Sequence, residues 1–345
     1  MSQSDALLEP ADVERASGLA RRLLDGLNGV LFGQERLTEG VAVALLARGH
    51  VLLEGLPGLG KTELVKALAA LSGLDWNRLQ FTPDLLPGDI TGGGMLETDA
   101  SGARSMRFQK GPVFTQVLLA DEINRASPKT QSALLEAMQE RRVSVLGETH
   151  ELPDPFLVLA TQNPIELEGT YPLPEAQLDR FLLKLQVGGV GHGTLERILT
   201  ERRGGRPPSQ EPALGSGELQ ELHGIVDRVF LPKAVANFIA RLVSATHAGA
   251  DGAPAQVNNY VRHGASPRAA IALAEAGRAL ALIGGKPSVG YEDVERLAPG
   301  CLGHRLVLDY RARLDGISPA EVVAALLGGV PRVEGELAAE LESAS

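Results

Sequence analysis

The stretch that organises this chain is VLLEGLPGLGKTELVKALAAL, residues 51–71. An apolar run ends at Gly55, the pattern Gly-x-x-x-x-Gly-Lys-Thr fills residues 55–62, and leucines then recur at helical spacing. Strand, glycine-rich loop and helix, in that order, are the context that a phosphate-binding loop requires. Glycines let successive backbone N–H groups point at one anion, and the helix N-terminus adds its positive end. The stretch therefore predicts a nucleotide site, and the alternative is a chance glycine-rich turn.

Two side chains of this loop have the chemistry that a bound nucleotide needs. Lys61 is placed to reach the outer phosphates, because it follows the glycines directly. The Thr62 hydroxyl is placed to ligate Mg²⁺. The loop thus predicts a nucleotide accompanied by Mg²⁺.

The composition is that of an ordinary globular protein. The chain has 345 residues, of which 44% are hydrophobic and 22% charged, and this length suggests about two domains. The net charge of −10 argues against a nucleic-acid-binding surface as the main function. Cys301 is the one cysteine, the first residues lack the pattern of a signal peptide, and no apolar run reaches membrane-spanning length. These features predict a cytoplasmic protein without direct membrane insertion.

Apolar runs alternate with helical patterns through the first half of the chain. Because the runs are continuous, they predict strands of a parallel sheet that helices cover on both faces. Residues 83–109 break this order, since they hold many glycines and prolines without clear regular structure, which is typical of a functional loop or of a plain surface loop. Residues 141–152 predict a hairpin. The expected strands are residues 51–53, 79–81, 117–120, 156–161 and 181–185.

The composition changes at Gly188, where a glycine-rich segment begins. Beyond it, helical patterns dominate and almost no strand is predicted. Ser-Pro pairs at residues 266–267 and 318–319 are typical helix starts. We therefore place a domain boundary near residues 188–191, and we expect the acidic tail after Pro331 to be loosely ordered.

An acidic pair, Asp121 and Glu122, follows directly after the apolar run 117–120. In a phosphate-loop protein this placement suits an Asp that holds the Mg²⁺ shell and a Glu that orients and deprotonates the attacking water. Phosphoryl transfer needs charge stabilisation and a positioned water rather than a covalent nucleophile. Adjacent acids at a strand end are also common on surfaces, so this interpretation depends on the phosphate loop upstream.

Asn163 and Arg180 lie next to two later strands. Asn163 comes just past the run 156–161, at the sheet edge where ligands of parallel sheets bind. Its amide is suited to hold the attacking water or the terminal phosphate, and the alternative is that it stabilises the turn before Pro164. Arg180 precedes the run 181–185 and is suited to stabilise transition-state charge, in cis or from a neighbouring subunit. The alternative for Arg180 is a surface ion pair.

Two further arginines are candidates for contacts with charged groups. Arg268 lies in the first turn of a predicted helix, where a cation opposes the helix dipole, so an anionic partner such as a phosphate would explain it. An exposed arginine tolerated at small cost is the alternative. Arg125 follows the acidic pair and is a candidate, ranked below Arg180, for a charged contact across a subunit boundary.

Taken together, these residues resemble the AAA+ ATPases and, within them, the MoxR family. The resemblance runs from about residue 23 to residue 330. It implies an α/β fold, namely a P-loop AAA+ αβα domain with a central parallel sheet (residues 1–189) followed by a smaller all-α lid domain (residues 190–345), with ATP and Mg²⁺ as cofactors. The matching segments are GLPGLGKT (55–62), QFTPDLLPGDITG (80–92), GPVFTQVLLADEINRASPKTQSALLEAMQE (111–140), ATQNP (160–164), GTYPLPEAQLDRF (169–181) and GASPRA (264–269).

The family's motifs imply roles for the residues that match them. Lys61 and Thr62 correspond to the Walker A pair, and Asp121 and Glu122 to the Walker B pair. Lys61 and Glu122 are thereby implied as catalytic, and Thr62 and Asp121 as Mg²⁺ ligands. The implied nucleotide-binding positions are Leu31, Gly55, Pro57, Gly58, Leu59, Gly60, Lys61, Thr62, Glu63 and Asp121.

Three more catalytic assignments come from the same resemblance. Asn163 corresponds to sensor 1, Arg180 to the arginine finger and Arg268 to sensor 2, and Arg180 should act on the nucleotide of a neighbouring subunit. Residues 87–108 resemble the helix-2 insert that marks this clade, and the hairpin at residues 141–152 resembles the insert before sensor 1. The segment around Leu31 resembles the one that contacts adenine.

Membership of this family further implies a ring homo-oligomer, expected to be a hexamer, that remodels a client protein complex. Family members often work with a partner that carries a von Willebrand factor A domain, and they help to mature or insert metal into the client. Two other functions remain open on the sequence: a nucleotide-gated assembly scaffold, and a DNA-acting motor, against which the acidic balance argues. A small-molecule kinase is disfavoured, because nothing resembles an acceptor site.

Overall fold

The computed structural model describes residues 8–98, 104–164, 169–202, 211–215 and 217–333. The chain divides into two compact units. The sheet unit consists of Arg22–Phe181 and Leu185–Leu219, and the helical unit of Met1–Arg21, Leu182–Lys184 and Gln220–Ser345. The division predicted between residues 189 and 190 stays a prediction, and residues 334–345 of the predicted tail lie outside the described part of the chain.

Strands and helices alternate through the first 202 residues. The helices are α1 (Pro10–Val30), α2 (Glu35–Leu46), α3 (Lys61–Ser72), α4 (Pro87–Thr91), α5 (Pro128–Glu140), α6 (Glu175–Leu178) and α7 (His192–Glu201). The strands are β1 (Val51–Gly55), β2 (Trp76–Gln80), β3 (Gly92–Thr98), β4 (Arg104–Lys110), β5 (Val117–Asp121), β6 (Arg142–Val145), β7 (Glu148–Glu151), β8 (Leu157–Gln162) and β9 (Leu183–Val187).

Five of these strands form a central parallel sheet in the order β2-β5-β8-β1-β9. Leu52 of β1 lies opposite Ala160 of β8, and Leu119 of β5 lies opposite Leu159 of β8. These side chains have no solvent exposure, as expected of strands that are covered on both faces. The predicted sheet is therefore confirmed, although β2 starts earlier than the predicted run and β9 ends later.

A buried histidine joins three elements of the sheet unit. The Nε2 atom of His50 lies 3.1 Å from the carbonyl oxygen of Met138 in α5, and its Nδ1 atom accepts a hydrogen bond of 3.0 Å from the Val158 amide of β8. Because Nδ1 accepts, a neutral ring carries its proton on Nε2 and donates it to Met138. Burial lowers the pKa of His50 from 6.5 to about 4, against the opposing effect of the Met138 hydrogen bond.

The absence of regular structure predicted for residues 83–109 is wrong. This segment contains the short helix α4 and the strands β3 and β4, which pair antiparallel with Gly92 opposite Lys110. The strands are mostly exposed, so no apolar periodicity marks them in the sequence. Glycine is required at position 92, because its φ is +86° and a Cβ atom would collide with the backbone of Gln109.

The hairpin predicted at residues 141–152 is confirmed as β6 and β7, and it packs against the β3–β4 hairpin. We call β3, β4, β6 and β7 the paired hairpins. The Phe108 ring stacks on the His150 ring with centroids 4.0 Å apart and an angle of 13° between the planes. Phe114 meets both rings edge-on, at 5.6 Å and 6.4 Å. At Gly94, a Cβ atom would lie 2.7 Å from the Leu146 side chain, so the missing side chain lets the hairpins approach.

The helices of the helical unit bury apolar side chains of all sizes, from alanine to Phe238. Ser266 caps α11 by accepting a hydrogen bond from the Arg268 amide, and Ser318 forms a capping box with Glu321 at α14. Leu273, at the centre of α11, is fully buried. The helices are α8 (Glu218–Arg228), α9 (Lys233–Ser244), α10 (Ala255–Tyr260), α11 (Pro267–Ile283), α12 (Tyr291–Leu302), α13 (Tyr310–Leu314) and α14 (Pro319–Gly329), with a small antiparallel pair β10 (Val261–His263) and β11 (Val307–Leu308).

Among the described residues, no helix is both long enough and apolar enough to cross a membrane.

Candidate nucleotide site

The predicted phosphate loop connects β1 to α3. Gly58 and Gly60 have φ values of +81° and +84°, a region that residues with side chains rarely adopt. A Cβ atom at either position would meet open space, so the backbone angle is what requires glycine there. Gly55 is required for a different reason, because a Cβ atom there would lie 2.6 Å from the carbonyl oxygen of Val187 in β9.

Lys61 is the first residue of α3, and its side chain folds across the loop. The ammonium group donates a hydrogen bond of 2.6 Å to the carbonyl oxygen of Gly55. Partial burial lowers the pKa of Lys61, and the negative charges of Asp121 and Glu122 oppose this shift. A cation is thus held over a curled backbone, which is the charge arrangement that attracts phosphate oxygens.

A cavity of about 370 Å³ opens at this loop. It brings Lys61 and Thr62 together with the acidic pair and with Asn163, which come from the ends of β5 and β8. Leu31 and Arg180, which belong to the same unit, do not line this cavity. Its lining consists of Pro57, Gly58, Gly60, Lys61, Thr62, Glu63, Arg78, Gln80, Asp121, Glu122 and Asn163.

The acidic pair is held by a threonine that the sequence reasoning missed. The Thr161 hydroxyl donates to Oδ1 of Asp121 at 2.7 Å and accepts from the Glu122 amide at 2.8 Å. Glu122 has a φ of 57°, which is uncommon for a residue with a side chain. The Thr161 contact therefore stabilises a turn that aims both carboxylates at the cavity.

Arg78 and Gln80 of β2 also contact the acidic pair, and sequence reasoning missed both. Arg78 donates to Oδ2 of Asp121 from Nη2 at 2.7 Å and from Nε at 3.2 Å. Gln80 donates to Oε2 of Glu122 at 2.7 Å, and Arg125 donates to the same oxygen at 3.0 Å. No local sequence pattern marks these two residues. The pairing of β2 with β5, which puts Gln80 opposite Asp121 in the sheet, brings them to the acidic pair.

Leu31 lies in the turn after α1, in a buried segment of the sheet unit. The guanidinium groups of Arg197 and Arg202 lie over the ring of its neighbour Phe32, at 4.2 Å and 5.0 Å from the centroid. Gln34 donates to the carbonyl oxygen of Gly188 at 2.7 Å. These contacts hold the predicted adenine segment beside α7 and the residues before it, and its predicted role in base binding stays a prediction.

Arg180 follows α6 and borders a second cavity of the sheet unit, of about 440 Å³. Its Nη1 donates to the carbonyl oxygen of Leu135 at 2.6 Å. Ser132, Gln139 and Arg142 line the same cavity. Arg180 and Lys61 therefore border different cavities of one chain.

Arg268 belongs to the helical unit. It is the second residue of α11, and its amide donates to the Ser266 side chain at 3.2 Å. Its predicted role toward a nucleotide stays a prediction.

The donor set of the first cavity fits a magnesium nucleotide. Mg²⁺ prefers oxygen ligands and is commonly held by one or two protein groups together with phosphates and water. Thr62 and Asp121 offer a hydroxyl and a carboxylate, and the loop offers the amide cradle. Among the described residues, no cluster of three or more His, Cys, Asp or Glu could hold a metal.

Comparison with known proteins agrees with this geometry. Residues 50–183 match the profile of the ATPase family associated with various cellular activities, and residues 254–326 match an AAA lid domain. The chain is 45% identical over 318 residues to Chaperone MoxR1 of Mycobacterium tuberculosis, which covers 90% of this chain and 83% of that protein. The chain belongs to the MoxR family of AAA+ ATPases. It is therefore an ATP hydrolase, and the predicted family, fold class and enzyme class are confirmed.

Other relatives of this MoxR-family ATPase match over similar lengths. Protein MoxR of Paracoccus denitrificans is 32% identical over 320 residues, 87% of this chain and 92% of that protein. A crystal structure from Cytophaga hutchinsonii, of a protein thought to be an ATPase, superimposes with a TM-score of 0.85 at 36% identity and covers 94% of this chain and 98% of its own. Both AAA domain and lid are therefore shared along nearly the whole chain.

Proposed function

We propose that this MoxR-family ATPase hydrolyses Mg-ATP at the seams of a ring oligomer, expected to be a hexamer, and uses the resulting movement to remodel a client protein complex in the cytoplasm. A partner with a von Willebrand factor A domain is expected to present the client. The mycobacterial relative is named as a chaperone, which supports the remodelling part. The net charge of −10 speaks against the DNA-acting alternative.

In this proposal the predicted catalytic and binding residues of the first cavity each have a defined task. Lys61 and the loop amides bind the phosphates, and Thr62 and Asp121 hold the cation, which supplies charge neutralisation when bound. Glu122 orients and deprotonates the attacking water, and Asn163 fixes the water or the terminal phosphate. None of these tasks needs a covalent bond to the protein, because positioning and electrostatics provide most of the catalysis of phosphoryl transfer.

The position of Arg180 is the observation that carries the ring proposal. Its guanidinium group is directed into a separate cavity and is bonded to the Leu135 carbonyl. An arginine in that position stabilises transition-state charge best on a nucleotide that another copy brings to it. Hydrolysis at full rate should therefore require adjacent copies.

Mixed rings test this assignment. Arg180→Ala subunits and Glu122→Gln subunits should each be nearly inactive alone, because one lacks the trans arginine and the other the base. When the two are mixed, seams that combine Glu122 of one copy with Arg180 of the next should restore part of the ATPase activity. Mixing Arg180→Ala with an Arg180→Ala, Glu122→Gln double variant is the control and should restore none. The absence of recovery at every mixing ratio would contradict the trans role.

Client capture tests the remodelling part. Full-length Glu122→Gln protein with ATP should retain a partner or client that the wild type releases. Release of that client with a non-hydrolysable ATP analogue, at the rate seen with ATP, would instead support the nucleotide-gated scaffold. Tight and strongly salt-dependent DNA binding would support the motor alternative.

A further inference from the structure

We propose that Gln177 is a positioning residue for Arg180. In the active seam its side-chain oxygen accepts a hydrogen bond from Nε of Arg180, and this contact turns the guanidinium group towards the nucleotide of the adjacent copy. The proposal rests on the trans role proposed above for Arg180. It adds a residue of α6 that lies one turn before the arginine, since the Arg180 amide donates to the Gln177 carbonyl oxygen at 3.2 Å.

Both side chains reach the same side of α5. Nε2 of Gln177 donates to the Ser132 hydroxyl at 3.3 Å, and Nη1 of Arg180 donates to the Leu135 carbonyl oxygen at 2.6 Å. Ser132 and Leu135 are three positions apart, which makes them neighbours on the surface of a helix. The two side chains therefore form adjacent parts of the wall of the cavity of about 440 Å³.

The orientation of the Gln177 amide is fixed by Ser132. The Ser132 hydroxyl donates to the carbonyl oxygen of Pro128 at 2.8 Å. A hydroxyl has a single proton to donate, so Gln177 must present its NH₂ group to Ser132. The other end of the amide, the acceptor Oε1, is thereby left for another donor.

One buried atom of each side chain has no hydrogen-bond partner in the described part of the chain. These atoms are Oε1 of Gln177, which is an acceptor, and Nε of Arg180, which is a donor. A buried donor or acceptor without a partner is unfavourable. Because the two residues lie one turn apart on the wall of one cavity, a change of side-chain rotamers joins the two atoms and satisfies both.

This contact decides which edge of the guanidinium group is available. Nη1 is now bonded to the Leu135 carbonyl, which keeps its own partner within the helix. A charged phosphoryl oxygen is a stronger acceptor than a neutral carbonyl, so Nη1 leaves Leu135 when the adjacent copy brings a nucleotide. With Nε fixed on Gln177, the planar fork presents Nη1 and Nη2 together to the transferring phosphoryl group.

Binding of ADP with aluminium fluoride, which imitates the transferring phosphoryl group, tests the proposal without turnover. Gln177→Met keeps the length of the side chain but removes the amide. In the full-length protein it should weaken binding of ADP with aluminium fluoride about tenfold, because the lost hydrogen bond to a charged group acts only in the transition-state geometry. Binding of a non-hydrolysable ATP analogue should stay near that of the wild type. Gln177→Glu keeps an acceptor oxygen and should bind both ligands within about threefold of the wild type.

Mixed rings show on which side of the seam Gln177 acts. Arg180→Ala subunits mixed with Glu122→Gln subunits give the reference activity. Adding Gln177→Met to the Glu122→Gln subunit, which supplies the arginine, should lower the recovered kcat about tenfold. Adding it to the Arg180→Ala subunit, which has no arginine to position, should leave the recovered activity unchanged. This second placement is the matched control, because a defect in folding or assembly would lower the activity in both.

Three outcomes would overturn the proposal. The first is unchanged binding of ADP with aluminium fluoride in a folded Gln177→Met protein. The second is an equal loss of activity from both placements, or loss of the ring in sedimentation velocity, since either would make Gln177 a structural residue of the seam. The third is a Gln177→Glu protein that binds as weakly as Gln177→Met. No recovery in the reference mixture would be a different failure, because it would contradict the trans role of Arg180 before Gln177 is changed.

Discussion

The nucleotide cavity and the paired hairpins are organised in opposite ways. At the cavity, the carboxylates of Asp121 and Glu122 each have at least two hydrogen-bond donors on neighbouring strands or turns. In the paired hairpins, apolar side chains such as Met106 and Leu146 are 59% and 63% exposed, and the ring contact between the hairpins is the stack of Phe108 on His150. The comparison teaches that a parallel sheet positions catalytic groups rigidly, whereas an exposed hairpin is held by few contacts and can move locally.

The largest effect is expected from substitution of Glu122, the proposed general base in the cavity. Glu122→Gln should lower kcat about 10²- to 10⁴-fold, because an amide cannot accept the proton of the attacking water. Nucleotide affinity should stay near that of the wild type, since the phosphate loop is intact. Steady-state phosphate release and binding of a fluorescent ATP analogue measure the two quantities. Full activity in the variant would show that the rigid cavity has another base.

The phosphate loop should show the complementary pattern. Lys61→Ala should weaken ATP binding about 10- to 100-fold, because a hydrogen bond to a charged group contributes about 1.5 to 3 kcal/mol. Equilibrium titration with a fluorescent ATP analogue gives the affinity. Lys66→Ala, an exposed lysine on the same helix that pairs with Glu63, is the matched control. Equal affinities for the two variants would contradict the assigned role of Lys61.

The rigidity of the sheet beneath the cavity is tested at His50. His50→Ala should destabilise the protein by about 2 to 4 kcal/mol at pH 7.5, because it leaves the Val158 amide and the Met138 carbonyl without their side-chain partner and removes a buried ring. Urea unfolding followed by circular dichroism measures this change. His192→Ala, at the exposed first position of α7, should cost much less.

The same histidine predicts a pH dependence. The pKa of His50 is about 4 in the folded protein and 6.5, the ordinary value of histidine, in the unfolded chain. As the pH falls, His50 therefore takes up a proton in the unfolded chain first. The contribution of neutral His50 to the free energy of unfolding is fully present above pH 6.5. It is lost as the pH falls towards 4, by about 3 kcal/mol in total. The stability difference between wild type and His50→Ala should therefore shrink by about 2 kcal/mol between pH 7.5 and pH 5. A difference that stays constant over this range would refute the shifted pKa.

The smallest and most local effect is expected in the paired hairpins. Phe108→Ala should cost about 0.5 to 1.5 kcal/mol through the lost ring contacts. Hydrogen exchange should accelerate in β4 and β7 while β1 and β5 keep their protection. Met106→Ala, on the same strand but exposed, is the control. Faster exchange throughout the sheet unit would show that the hairpins and the sheet are not independent in the way described here.

Sequence reasoning located the phosphate loop, the acidic pair and the parallel sheet, because each has a local signal. Glycine at fixed spacing and continuous apolar runs reflect backbone angles and burial that neighbouring residues share. It missed Arg78 and Gln80, whose partners lie 43 and 42 positions further along the chain. Sequence reasoning also wrongly predicted that residues 83–109 lack regular structure, because the exposed strands in this segment show no apolar alternation.

The amino-acid sequence by itself determined the family, the nucleotide loop and the order of strands and helices, since these depend on local composition and on motifs read along the chain. Tertiary structure alone decided which charges meet. The register of β2 beside β5 places Arg78 on Asp121 and Gln80 on Glu122, and the approach of two hairpins stacks Phe108 on His150. The physical reason is that strand pairing joins residues far apart in sequence, and no local pattern encodes which pairs of side chains it brings within hydrogen-bond distance.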